Sequence, residues 1–198
     1  MNRSVATALT VVLTGLLASA ALGQDHERSI GVSVQRYTPK LDSARDVYGS
    51  ATATSFTYEY LSEKNSFVRA GVGFLKHSRN GYGRHFVNGP LATQSLMPLE
   101  LSVGYRAALS DEGDHAIVVG VGGQYLGYWE RYPGQDRIAA QGIGAILYMG
   151  PEFAITKRIR LGLEYRVLLA DVQVRTPEAR YDVDLGGSFL QLALRRVL

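Results

Sequence analysis

The chain has 198 residues, 46% apolar and 20% charged, with a formal net charge of +3, no cysteine, 22 glycines and 12 tyrosines. That length suits one domain, the composition is too apolar for a disordered chain, and the charge is too small to argue for nucleic acid. The lack of cysteine excludes disulfides and thiolate metal sites.

The N-terminus carries the clearest local signal. Arg3 supplies a positive start, Val5 to Leu22 are almost wholly apolar or small, and Ala21-Leu22-Gly23 places small residues at a cleavage site. Residues 1–23 therefore read as a secretory signal peptide; the run is short and rich in Ser, Thr and Gly for a retained anchor. No cysteine stands nearby to accept a lipid. Removing Arg3 takes the net charge from +3 to +2 for a single domain over residues 24–198.

From Ser29 onward apolar residues recur with period two, the signature of strands with one apolar face. Eight segments follow. Residues 29–37 set Ile30, Val32 and Val34 against Gly31, Ser33 and Gln35. Residues 52–61 set Phe56, Tyr58 and Tyr60 against Ser55, Thr57 and Glu59. Residues 67–76 oppose Val68, Ala70, Val72 and Phe74 to Arg69, Gly71 and Gly73, and residues 97–109 oppose Leu99, Leu101, Val103 and Tyr105 to Glu100, Ser102, Gly104 and Arg106. In residues 115–128, Ile117, Val119, Val121 and Tyr125 face away from Gly120, Gly122 and Gln124, with Val118 blurring the pattern. Residues 141–155 set Ile143, Leu147 and Met149 against Gly144, Tyr148 and Glu152. The seventh segment, from 159 to 167, opposes Ile159, Leu161, Leu163, Tyr165 and Val167 to Arg160, Gly162, Glu164 and Arg166. The last, 184–198, opposes Leu190, Leu192 and Leu194 to Gln191, Ala193 and Arg195.

The connections alternate. Residues 62–65, 110–114 and 156–158 are short, polar and turn-like, whereas 38–51, 77–96, 129–140 and 168–183 are longer. Short turns at one end and long loops at the other, with an even strand number, are the pattern of an antiparallel up-and-down transmembrane barrel with both termini in the periplasm. No later window offers the ~20 apolar residues of a membrane helix, so a membrane location requires a closed barrel.

Alternation alone does not say which face meets lipid. The polar face pairs glycines with Glu59, Arg69, Glu100, Arg106, Glu152, Arg160, Glu164 and Arg166, while the apolar face is nearly free of charge at mid-strand. Four acids and four bases on adjacent strands suit a narrow interior, where an unpaired charge is costly. The expectation is a plugged lumen: Glu59 near Arg69, Glu152 near Arg160, and Glu100, Arg106, Glu164 and Arg166 in a linked network. A soluble barrel or sandwich with this face in water is the architectural rival. Tyr58, Tyr60 and Tyr105 near one end, and Tyr37, Phe74, Tyr125 and Trp129 near the other, read as aromatic belts, with Arg36 snorkelling at the outer end.

The leader, the eight alternating strands, the Gly-Pro-Glu-Phe…Arg-Leu-Gly-Leu-Glu-Tyr-Arg hairpin at 150–166 and the closing strand resemble the OmpA/OmpX-type family of small outer-membrane barrels. The resemblance covers about all of 24–198. It implies an outer-membrane location, lipid and lipopolysaccharide as surroundings, the barrel assembly machinery as a transient partner, and a monomer. Leu198 stands where such proteins commonly end in an aromatic residue, and Arg196 interrupts the last apolar row.

Chemistry is sparse. His77-Ser78 with Glu100 or His85 is the best hydrolase candidate, but adjacent strand residues face opposite sides, and the His-x-Ser-Asn spacing of lipid A deacylases is missing. His26, His77, His85 and His115 are scattered without metal-ligand spacing. Gly-Val-Gly-Gly at 120–123 lies in a strand with no following helix, so it is no phosphate loop. Lys76, His77, Arg79, Arg84 and His85, among Tyr82 and Phe86, form a candidate lipopolysaccharide-contacting loop. The sequence thus points to a non-enzymatic outer-membrane barrel, without cofactor or metal, with a structural or surface-interaction role. A narrow channel, a solute- or lipopolysaccharide-binding barrel and a lipid A-modifying enzyme are the alternatives.

Overall fold

The computed structural model describes residues 27–40, 50–62, 64–79, 92–110, 114–131, 137–175 and 180–198. The expected signal peptide lies outside the described residues.

Among the described residues nine strands follow in chain order: β1 (Glu27–Pro39), β2 (Ala51–Leu61), β3 (Ser66–Arg79), β4 (Ala92–Ala108), β5 (His115–Arg131), β6 (Ile138–Thr156), β7 (Ile159–Arg175), β8 (Arg180–Asp184) and β9 (Gly187–Val197). Each pairs antiparallel with its chain neighbour through β7, β1 pairs with β9, and β6 pairs with β7, so the sheet closes. β8 and β9 both pair with β7, so they are two parts of one stave and the wall has eight. The break at Leu185 and Gly186 is locally satisfied. The Asp184 carboxylate accepts from Gly186 N at 2.6 Å, Leu185 N donates to Ala170 O at 2.9 Å, and Lys40 N donates to Gly186 O at 2.9 Å.

One end of the barrel carries the tight turns and the other the longer connections. At the turn end, Asn65 adopts a positive φ of 60°, which asparagine tolerates better than most residues, and its N–H closes on Ser62 O at 3.0 Å. Leu198 N donates to Arg28 O at 2.8 Å, which ties the chain end beside the start of β1.

At the loop end the strands run further than the alternation predicts. Backbone pairing continues to Arg79 with Ala92, to Arg131 with Thr93, and to Arg175 with Arg180. Much of the expected loop at 77–96, 129–140 and 168–183 is therefore hairpin. Ladder hydrogen bonds do not need an apolar face, so strands persist where the alternation stops.

Glycine shapes the wall where rings must lie across it. Gly104 is opposite Phe67 and Gly120 opposite Tyr148, and in both places a Cβ would strike the ring. This is the role of Gly120 in the 120–123 run, where a side chain would displace the Tyr148 ring.

The two faces divide as a membrane barrel requires. Val32, Phe56, Phe74, Val103, Leu147, Met149, Leu163, Tyr165 and Leu192 are exposed on the outside, whereas Glu59, Arg69, Glu100, Arg106, Glu152, Glu164 and Arg166 are buried inside. A soluble barrel has the opposite distribution, and so continuous an apolar exterior suits a lipid-facing band. Tyr37 corrects the aromatic belt. It shares the parity of Ser33 and Gln35, points inward, and its hydroxyl donates to Leu185 O at 2.9 Å.

Candidate functional site: the lumen

Polar side chains fill the lumen's turn-end half. The Arg69 guanidinium from β3 meets Glu59 of β2 at 2.9 Å and reaches Glu164 of β7 at 3.0 Å. Arg106 of β4 meets Glu59 and Glu152, each at 2.8 Å. Arg160, half-buried at the mouth, contacts Glu152 at 3.4 Å and Glu27 at 2.8 Å. Arg166 meets Glu100 at 2.5 Å and donates to Gln191 at 2.7 Å. Many of these contacts join staves that are not neighbours in the wall, so they brace it from within.

Two members lie beyond the eight residues singled out from the sequence. Arg195 bridges Glu152 and Glu164 and lies 4.0 Å from Glu59. Glu27 lies two residues before the expected start of the first strand. Arg195 was legible: it shares the inward parity of Gln191 and Ala193 at the level of Arg160, its register partner. Arg106 sits differently from the expected grouping. It pairs with Glu27, Glu59 and Glu152, and connects to Glu164 by way of Glu59 and Arg69 and by way of Glu152 and Arg195.

Together Glu27, Glu59, Glu100, Glu152 and Glu164 balance Arg69, Arg106, Arg160, Arg166 and Arg195, so the cluster is formally neutral. Neutrality matters because an uncompensated charge in so enclosed a space costs several kcal/mol, roughly 3–5. Tyr148 organises the upper part of the cluster. Arg69 and Arg166 lie over its ring at 4.7 and 5.0 Å, and its hydroxyl is 3.0 Å from that of Ser102. Ser102 in turn donates to Glu100 at 3.0 Å, as does Gln124.

The loop-end half of the lumen is apolar. Leu75, Leu96, Leu126, Leu168, Val172, Val174 and Phe189 pack with Tyr37 and Leu185. Leu126, Val172 and Val174 have no exposed surface. Val118, which blurs the alternation of β5, also points inward, into a smaller cluster with Leu61, Phe67 and Tyr148.

Where the two halves meet, a cavity of about 20 Å³ is lined by Thr57, Glu100, Gln124 and Arg166 on one side and Leu75, Leu168 and Phe189 on the other. That is room for about one water molecule and no solute. Among the described residues no group of three or more potential ligands is arranged for a metal ion.

The remaining candidates are dispersed. Lys76 and Arg79 lie on β3 instead of in a loop, Lys76 exposed on the outer face. Arg84 and His85 lie outside the described residues. His77 and Ser78 pair across the ladder with Gln94 and Thr93, and Glu100 is engaged in the lumen by Arg166, while the alternative partner His85 lies outside the described residues.

No protein-family model and no curated protein matches the sequence. Solved structures do match in shape. The outer membrane protein OprG from Pseudomonas aeruginosa is 15% identical with a TM-score of 0.65, over 87% of this chain and 95% of that one. A major outer membrane protein from Thermus thermophilus is 12% identical with a TM-score of 0.59, over 88% and 100%. Neisserial surface protein A is 14% identical with a TM-score of 0.54, over 87% and 97%. At these identities the likeness concerns the fold, which is that of the small eight-stranded outer-membrane barrels.

Proposed function

We propose that the chain is a non-enzymatic barrel of the outer membrane, sealed along its axis, that acts by strengthening the membrane and by presenting its loop end for surface contacts. The observation that carries this reading is the lumen. Charged pairs block its turn-end half, an apolar core blocks its loop-end half, and the space between them admits no solute.

The apolar exterior supports the membrane location, since an eight-stranded wall with its charges inside has no stable place in water. Cations that face outward near the loop end, Arg36, Lys76 and Arg131, support contact with the phosphates of lipopolysaccharide. Fractionation of producing cells tests the location. The protein is expected in the outer membrane and to migrate faster on an SDS gel before boiling than after; recovery in the soluble periplasm would reject the reading. Catalysis is tested separately by the mass of lipid A. Expression is expected to leave it unchanged, and a gained or lost acyl chain would identify an enzyme.

A further inference from the structure

Outward-facing residues of β1 to β4 and β9 form ordered rows across the wall. Val32 lies between Leu194 and Phe56, and Phe56 is followed by Val72. One step towards the loop end, Val34 lies between Leu192 and Thr54, and Thr54 is followed by Phe74. The next row changes character. It contains Arg36, Thr52 as its register partner, and Lys76, which follows the Leu75 that pairs with Ala53.

The apolar rows line a shallow, open groove of about 760 Å³ on the outside of the barrel. Its shape follows from side-chain size: Val34 and Thr54 are short, and the Phe56 and Phe74 rings stand beside them. The wall is also interrupted here. The β3–β4 pairing passes from Val72 with Leu99 to Leu75 with Leu96, leaving Gly73, Phe74, Met97 and Pro98 out of the ladder, and Pro98 has no N–H to contribute. Gly73 and Met97 line the groove.

At the head of this groove Arg36, Thr52 and Lys76 are all exposed, and Arg36 is drawn towards Ser50, to whose hydroxyl it donates at 3.1 Å. Two cations on either side of a hydroxyl make a receptor for a phosphate. Among the described residues no carboxylate shares these rows. A groove of this volume, apolar along its length and cationic at one end, fits an acyl chain below an anionic headgroup.

We propose that this face is a binding site for a phosphorylated, acylated glycolipid of the outer leaflet, with one acyl chain along Val34, Thr54 and Phe74 and a phosphate held by Arg36 and Lys76. The proposal rests on the outer-membrane reading, because the loop end places the cations at the level of the outer headgroups. It assigns the lipid contact to the wall, where the exposed cations adjoin an apolar groove.

Native mass spectrometry of the full chain in detergent micelles tests it, with bisphosphorylated lipid A, dephosphorylated lipid A and phosphatidylglycerol as probes. The wild type is expected to retain bisphosphorylated lipid A well above the other two. The R36S/K76S double variant is expected to lose roughly thirtyfold in retention, since two cations near a lipid headgroup together contribute about 2 kcal/mol. T54F, which fills the groove and leaves both cations, is expected to reduce retention as well. R196S removes an exposed cation at the turn end and is expected to change nothing. Heat-dependent gel mobility verifies that each variant is folded. Full retention by the folded double variant, or equal retention of phosphatidylglycerol by the wild type, would overturn the proposal. Failure of the membrane reading looks different: the protein would remain soluble without detergent, and this site would fall with it.

Discussion

The two halves of the lumen are closed by opposite means. The turn-end half holds a neutral cluster of carboxylates and guanidiniums in which Arg69, Arg106 and Arg195 each reach across the barrel. The loop-end half holds leucine, valine and aromatic side chains that meet chiefly by apolar packing, with the Tyr37 and Tyr128 hydroxyls bonded at its edge. Charged contacts between distant staves specify which residues face one another, because an ill-matched register leaves a buried charge alone. Apolar packing penalises empty volume but tolerates small changes of partner. The difference suggests a division of labour, with register set at the turn end and the seal completed at the loop end.

That contrast can be broken most severely in the charged half. Replacing Glu164 with leucine leaves Arg69 and Arg195 short of a partner and is expected to cost roughly 3–5 kcal/mol. Urea unfolding from phospholipid vesicles, followed by the fluorescence of the single tryptophan, Trp129, measures this. In the apolar half, Leu126→Ala opens a void where no surface was exposed and is expected to cost about 2–4 kcal/mol in the same assay. If the two costs came in reverse order, packing and not charge would dominate the wall's stability.

Smaller changes sharpen the same picture. Tyr148→Phe keeps the ring under Arg69 and Arg166 but removes the hydroxyl beside Ser102, with an expected loss of about 1 kcal/mol. Arg160→Ala, at the water-accessible mouth, is expected to change stability by less than about 1 kcal/mol, because solvent screens that pair. An Arg160 effect as large as that of Glu164 would mean that the mouth is as dry as the middle.

The legible parts of the fold are those where one face is apolar and the other is not. β7 alternates without a fault from Ile159 to Val167, and it lies where that alternation places it. The polar members of the lumen are legible for the same reason, down to Arg195, whose parity matches Gln191. The apolar plug is hidden because its residues abolish the contrast that reveals a strand. Leu126 follows Tyr125, and Leu168 follows Val167, so both faces become apolar and the period disappears. Val172 and Val174 then alternate with Asp171 and Gln173 in the reverse sense, apolar inward and polar outward. That inversion is the pattern of a hairpin rising out of the lipid band into water, and it resembles a loop only when polar-inward alternation is required throughout. Pairing across the barrel is likewise absent from local sequence: that Arg106 meets Glu152 of β6 depends on closure and stagger.

Single-channel recording of the purified protein in planar lipid bilayers tests the double-plugged lumen most directly. The sealed lumen predicts no steady conductance at moderate voltage, whereas regular, long-lived openings of large amplitude in the wild type would contradict it.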